Sequence, residues 1–131
     1  MAIQLKGTFQ VTDWDETPYN ENEDGSKQSH AKITQQYQGN IIGESELQYL
    51  MSYITKESAV FVGLETISCS INERAGSFVI KHDGKFDSGI ASSEFSIVPR
   101  SGKGELSTIT GTGSFKSISN GQAGYTFEIS L

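Results

Sequence analysis

The sequence predicts an all-β protein: one eight-stranded antiparallel up-and-down β-barrel spanning residues 1–131. Three observations carry this reading. Apolar and polar residues alternate with a period of two in run after run, the mark of strands with one buried face. Short turn signals separate most of the runs. Glycine outnumbers proline, 14 against 2, as expected of a sheet with many turns and bulges. A hydrophobic content of 35% is low for a sheet covered on both faces, but it suits a barrel with a polar outer surface. Closing the sheet also removes its unpaired edges. A two-sheet sandwich of the same strands is the alternative, and the short connections favour the barrel.

The first strand is Ile3, Leu5, Gly7, Phe9 and Val11 alternating with Gln4, Lys6, Thr8, Gln10 and Thr12. Asp13 to Gln28 holds Pro18, Asn20, Asn22, Asp24 and Gly25, and its turn chemistry reads as a loop. His30 to Gln38 is the second strand, with Ile33 and Tyr37 on one face, and Gly39-Asn40 turns the chain. Residues 44–54 fit two periods. Leu47, Leu50, Met51 and Ile54 have helical spacing, and Leu47, Tyr49, Met51 and Tyr53 have strand spacing. Strand is preferred because both neighbours are strands, and its phase stays open.

Ala59 to His82 reads as a hairpin. A turn at Glu73-Arg74, or a loop from Asn72 to Ala75, sets Cys69 against Phe78, Ile67 against Ile80 and Glu65 against His82. A second turn at Asp87-Ser88 then sets Ile80 against Phe95, Phe78 against Ile97 and His82 against Ser93. Pro99 ends the sixth strand, and Arg100 to Gly104 is a loop. Ile109, Gly111, Gly113 and Phe115 mark the seventh strand, and Tyr125, Phe127, Ile129 and Leu131 the eighth, with Asn120-Gly121 between them as a hairpin turn. Gly63, Gly84, Gly89, Gly111 and Gly113 fall within strands or at their ends and permit coiling or bulges there.

The segment from Gly7 to Tyr19, GTFQVTDWDETPY, resembles the opening of a bacterial family of small uncharacterised proteins, a domain of unknown function grouped with allene oxide cyclase-like barrels. Tyr49-Leu50-Met51-Ser52-Tyr53, Val62-Gly63-Leu64-Glu65, Gly76 to His82 and Gly102 to Leu106 extend the resemblance over nearly the whole chain. It implies an eight-stranded antiparallel barrel and no assigned activity. Residues 102–113 also look like the Gly-Thr-Gly segment of dirigent-type barrels. Both barrel families handle reactive small molecules, which makes an apolar ligand the expectation, but neither supplies a catalytic residue that transfers to this chain.

The formal charge of −6 argues against a phosphate-seeking surface, so neither nucleic acid nor an anionic membrane is expected as a partner. One cysteine cannot form an internal disulfide, and no apolar run reads as a signal core or membrane span. A cytoplasmic protein without cofactor is the expectation.

The inward face of the Ala59–His82 hairpin carries Phe61, Ile67, Cys69, Ile71, Phe78 and Ile80, and with them Glu65 and His82. A carboxylate beside an imidazole orients the ring and fixes where its proton sits, which suits acid or base work in an apolar cavity. The same pair also serves as a satisfied polar contact of purely structural value. Tyr37, Tyr49, Tyr53 and Trp14 are candidates for hydrogen-bonding aromatic walls, and each also suits ordinary packing. Cys69 reads as an inert buried thiol and His30 as solvated. Two histidines and one cysteine at unrelated spacings make no metal set, and Glu21, Glu23 and Asp24 lack the spacing of a calcium loop. Gly111-Thr112-Gly113 lacks the strand-to-helix context of a dinucleotide site.

Three functions stand open on this reading. The first is binding of a small, largely apolar molecule in the barrel, with Glu65, His82, Tyr37, Tyr49, Tyr53 and Trp14 at the site. The second is a cyclase or isomerase that works through Glu65 and His82. The third is a structural or oligomerisation module with a filled barrel, in which copies of the chain associate.

Overall fold

The computed structural model describes residues 2–131, and among them strands and their connections account for the chain, with no helix. The strands are β1 (Ile3–Glu21), β2 (Lys27–Gly39), β3 (Ile41–Thr55), β4 (Ser58–Ile71), β5 (Arg74–Asp87), β6 (Ile90–Ile97), β7 (Lys103–Gly104), β8 (Thr110–Ser119) and β9 (Gln122–Ser130). Eight of them pair antiparallel in the cyclic order β1-β2-β3-β4-β5-β6-β8-β9, and the β1–β9 ladder closes the barrel. The ninth, β7, lies in the predicted Arg100–Gly104 loop and pairs two residues with the start of β5. The connection around it tucks Leu106 and Ile109 under one end of the barrel, where both are buried.

The ambiguous segment at 44–54 is strand. Ser45, Leu47, Tyr49 and Met51 face inward, and Glu44, Glu46, Gln48 and Leu50 face out. Helical spacing arises there only because Leu50 and Ile54 are exposed apolar residues on the outer face.

Both central hairpins turn one residue away from the predicted place. Asn72-Glu73 forms the first turn, with both residues at positive φ, and Ser88-Gly89 forms the second, also with both positive. Two-residue hairpins of this hand need positive φ at both central positions, which asparagine and glycine reach most easily. The turns therefore take in Asn72 and Gly89 and leave Arg74 and Asp87 in β5. The pairing slides by two positions as a result. Ile67 faces Phe78, Glu65 faces Ile80, Cys69 faces Gly76 and Gly63 faces His82. Likewise Ile80 faces Ile97, His82 faces Phe95 and Gly84 faces Ser93. A slide of two preserves the pleat, so every inward residue of the hairpin remains inward. Asn120-Gly121 turns as predicted, at positive φ.

The predicted loop from Asp13 to Gln28 is largely strand. β1 continues to Glu21 and β2 begins at Lys27, leaving residues 22–26 as the connection. Only β2 accompanies β1 this far, since the β1–β9 ladder ends at Gln10–Gln122. The hairpin thus projects past the barrel with little to bury, and residues 12–21 are exposed except for half-buried Glu16. Alternation in sequence reports burial, not hydrogen bonding, so a strand in water on both faces leaves no period-two signal. Pro18, two bulges and the acidic side chains discourage other chains from joining this edge.

The bulge between Val11 and Asp13 has a second consequence. Before it, odd-numbered residues of β1 point inward. After it, Trp14 and Glu16 take the inner face and lean over the barrel mouth.

Candidate functional site

Buried aromatic and aliphatic side chains fill the barrel below its mouth, with Phe78, Phe127, Ile67, Ile71 and Ile80 fully enclosed. In their midst lies a chain of hydrogen bonds. Tyr37 Oη donates to Glu65 Oε2 at 2.5 Å. Glu65 Oε1 and His82 Nε2 lie 2.7 Å apart, and His82 Nδ1 and Ser93 Oγ 2.8 Å apart. Ser93 Oγ donates to the Glu94 carbonyl at 3.2 Å. Every member of the chain is thus hydrogen-bonded to the next, with a proton shared between Nε2 and Oε1. Glu65 and His82 are each 1% exposed, and these bonds are what make their burial tolerable. Burial, and then the Glu65 carboxylate, push the hydroxyls of Tyr37 and Tyr49 well above the ordinary tyrosine range.

Gly63 is the residue that brings this cluster together. It sits between Tyr49 on β3 and His82 on β5 in one cross-strand row. A Cβ there would lie 2.1 Å from the Gln48 carbonyl oxygen and 2.6 Å from the Tyr49 ring. Without it, Tyr49 and His82 meet over the glycine, edge to face, with ring centroids 5.4 Å apart. Phe95 and Phe115 pack on His82 in the same manner.

Above this layer the barrel mouth holds a cavity of about 360 Å³. Its walls include Phe9, Trp14, Tyr49, Met51, Tyr53, Phe61, Phe86 and Phe115, together with Gln35. No charged side chain is among the lining residues. Two buried polar atoms of the wall, Gln35 Oε1 and Tyr49 Oη, have no hydrogen-bond partner. Glu16 stands at the rim. It accepts from Trp14 Nε1 at 2.9 Å and from Ser29 Oγ. Burial opposes its ionisation, but hydrogen bonds from Ser29, Trp14 and Tyr53 and the charge of Lys27 outweigh it and hold the carboxyl below its ordinary range. Tyr53 is pushed up to about 12 by burial and by Glu16.

The six predicted site residues therefore divide. Trp14, Tyr49 and Tyr53 line the mouth. Tyr37, Glu65 and His82 form the bonded chain below it and are not among the lining residues, with Tyr49 as the link between the two groups. Sequence reasoning missed Gln35, although Ile33 and Tyr37 on either side place it on the inner face. It also missed Glu16, which the bulge at Val11–Asp13 re-aims. His30 faces outward and bonds Gln48 Oε1 at 2.8 Å. A larger concavity of about 790 Å³ lies outside the barrel, against outward-facing His30, Lys32, Gln48, Leu50 and Leu64, and of the six predicted site residues only Tyr49 borders it. Among the described residues no cluster of three or more metal-ligating side chains occurs, and no helix is long and apolar enough to cross a membrane.

A family model described as a protein of unknown function, DUF3224, matches residues 5–129. The chain belongs to the DUF3224 family. A crystal structure of a DUF3224 protein of unknown function from Shewanella oneidensis MR-1 is similar to it, with 28% sequence identity and a TM-score of 0.79 over 100% of this chain and 98% of that one. No curated protein matches the chain. The resemblance read from Gly7–Tyr19 and the later motifs is thus that of a DUF3224 member, and the fold agrees with the expected barrel.

Proposed function

We propose that this DUF3224 protein binds a small, largely apolar molecule in the mouth of its barrel. The observation that carries the reading is a cavity of about 360 Å³ walled by aromatic side chains, with two buried polar atoms left unpartnered in the wall. Pockets for small ligands share this build: mostly apolar, with a few polar groups that set orientation. An unpartnered buried polar atom costs about 1–3 kcal/mol, a cost that a bound molecule would offset. The Tyr37–Glu65–His82–Ser93 chain supports the site from below by holding the His82 ring against Tyr49. A cyclase or isomerase would need Glu65 or His82 to reach the ligand past Tyr49, so binding is the better-supported activity. The single cysteine, with no internal disulfide to form, agrees with a reducing bacterial cytoplasmic setting.

Native mass spectrometry of freshly purified protein tests the proposal. A low-mass adduct is expected on the wild type, and its loss is expected in Ala91→Trp, which fills the mouth from β6. An adduct of equal abundance on both proteins, or none on either after incubation with a lipophilic cell extract, overturns it.

A further inference from the structure

The polar atoms in the cavity wall say more about the occupant than its apolar surface does. Gln35 is 4% exposed and sits between Val11 and Ser45 across the sheet. Its Oε1 is unpartnered, and so is the hydroxyl of Ser45, so the cross-strand neighbour does not serve it. Tyr49 is also 4% exposed, and its hydroxyl is likewise unpartnered. Carbonyl-type oxygens accept only, whereas a phenol both donates and accepts. Both the Gln35 and the Tyr49 oxygens are enclosed in the structure, so a ligand hydroxyl pairs with the Gln35 amide, or with the Tyr49 phenol, through a small rotation of that side chain toward the cavity it lines.

The rest of the wall limits shape and charge. Tyr49 and Phe61 lie with centroids 4.4 Å apart, Phe115 stands edge-on to Phe9, and Trp14 and Tyr53 close the rim. Aromatic faces and edges of this kind suit a flat partner. No charged residue lines the cavity, and the Glu16 carboxylate at the rim is already held by Trp14 and Ser29, so an ionised ligand would lose its hydration without a free counter-charge. The volume corresponds to roughly a dozen waters at liquid density, hence to a molecule of one or two rings.

We propose that the molecule taken up at the mouth is neutral, flat and one or two rings in size, and carries a hydroxyl group received by the Gln35 amide. This rests on the mouth cavity being the binding site and narrows what it takes. The discriminating group is Gln35, since it selects the hydroxylated molecule over its hydrocarbon counterpart.

Three probes of one shape test the inference by calorimetric or fluorescence titration: naphthalene, 2-naphthol and 2-naphthoate. The wild type is expected to bind 2-naphthol about tenfold more tightly than naphthalene, and 2-naphthoate at least about tenfold more weakly than 2-naphthol. In Gln35→Leu the preference for 2-naphthol should shrink below about threefold, with naphthalene affinity retained. Gln35 Oε1 makes no bond in the fold, so this variant is expected to stay folded, and circular dichroism checks that it does. Equal affinity for naphthalene and 2-naphthol overturns the ligand class, as does tightest binding of 2-naphthoate, and either outcome leaves the cavity-binding reading intact. A preference that survives in Gln35→Leu and vanishes in Tyr49→Phe moves the role from Gln35 to Tyr49 and overturns the assignment. If none of the three binds, the ligand class fails whatever the mass spectrum shows. The mass spectrum of the wild type and of Ala91→Trp then decides the binding reading separately.

Discussion

Replacing Glu65 by leucine removes the centre of the buried hydrogen-bond chain and leaves its neighbours in place. Tyr37 Oη and His82 Nε2 each lose their partner at Glu65, and both side chains are at most 3% exposed. Each stranded group costs about 1–3 kcal/mol, and breaking a buried pair from one side typically costs about 3–5 kcal/mol. That is a large share of the roughly 5–15 kcal/mol by which a domain is stable. For a chain of this size it lowers Tm by about 10–20 °C. Glutamine should behave differently. Its oxygen still accepts from Tyr37, its amide N–H donates to His82 Nε2, and His82 Nδ1 then donates to Ser93. Every bond survives in a fully neutral chain, so Glu65→Gln should cost less than about 1 kcal/mol. The triple variant Tyr37→Phe, Glu65→Leu, His82→Leu removes donors and acceptor together and should recover most of the loss seen in Glu65→Leu alone. Urea and thermal unfolding followed by circular dichroism measure all three. The reasoning is refuted if Glu65→Leu lies within about 0.5 kcal/mol of the wild type, or if the triple variant is no more stable than the single one.

Three further outcomes follow from the same structure. Cys69 is buried, and burial pushes its thiol up to about 12, so a thiol reagent at neutral pH should label it only through opening of the fold. Labelling at the rate of a free thiol would contradict its inward placement. Burial, first of all, raises the hydroxyls of Tyr37, Tyr49, Tyr53 and Tyr125, the third to about 12. The unfolded chain ionises them near pH 10, so their contribution to stability is complete below about pH 10 and declines as pH rises toward 12. Denaturant midpoints and tyrosinate absorbance check this, and ionisation of all four near pH 10 in folded protein would refute it. Finally, Gln35→Leu removes a buried side chain whose Oε1 is unpartnered and should raise stability by about 1 kcal/mol. A lower unfolding midpoint would mean that the amide has a partner in the fold.

How much of this was legible in the sequence depended on whether burial left a pattern. Inward Ile67, Cys69, Phe78 and Ile80 announce a buried face, and Glu65 and His82 share its parity, so their meeting inside was readable even with the register misplaced. The bond survives that slide because Glu65 and His82 are diagonal neighbours, within reach of long side chains. The turn positions were also readable, from Asn72 and Gly89 as the residues most tolerant of positive φ. The projecting half of β1 was not readable, because a strand solvated on both faces carries polar residues at every position. Nor was the aim of Trp14 and Glu16, which depends on a bulge that no residue type marks. The mouth cavity is a property of closure: Gln35, Ala91 and Phe115 lie far apart in sequence and share a wall only once β1 meets β9.

The most direct test of ligand binding at the mouth is a methyl-detected NMR titration of the folded protein with 2-naphthol. The methyl groups of Met51, Ala91 and Ala123 line the cavity, Ile67 and Ile71 lie in the filled core, and Val60 and Leu64 face outward. Saturable shifts are expected at Met51, Ala91 and Ala123, with the outward and deep methyls unmoved. Shifts confined to Val60 and Leu64, or no shift at saturating probe, would contradict binding at the barrel mouth.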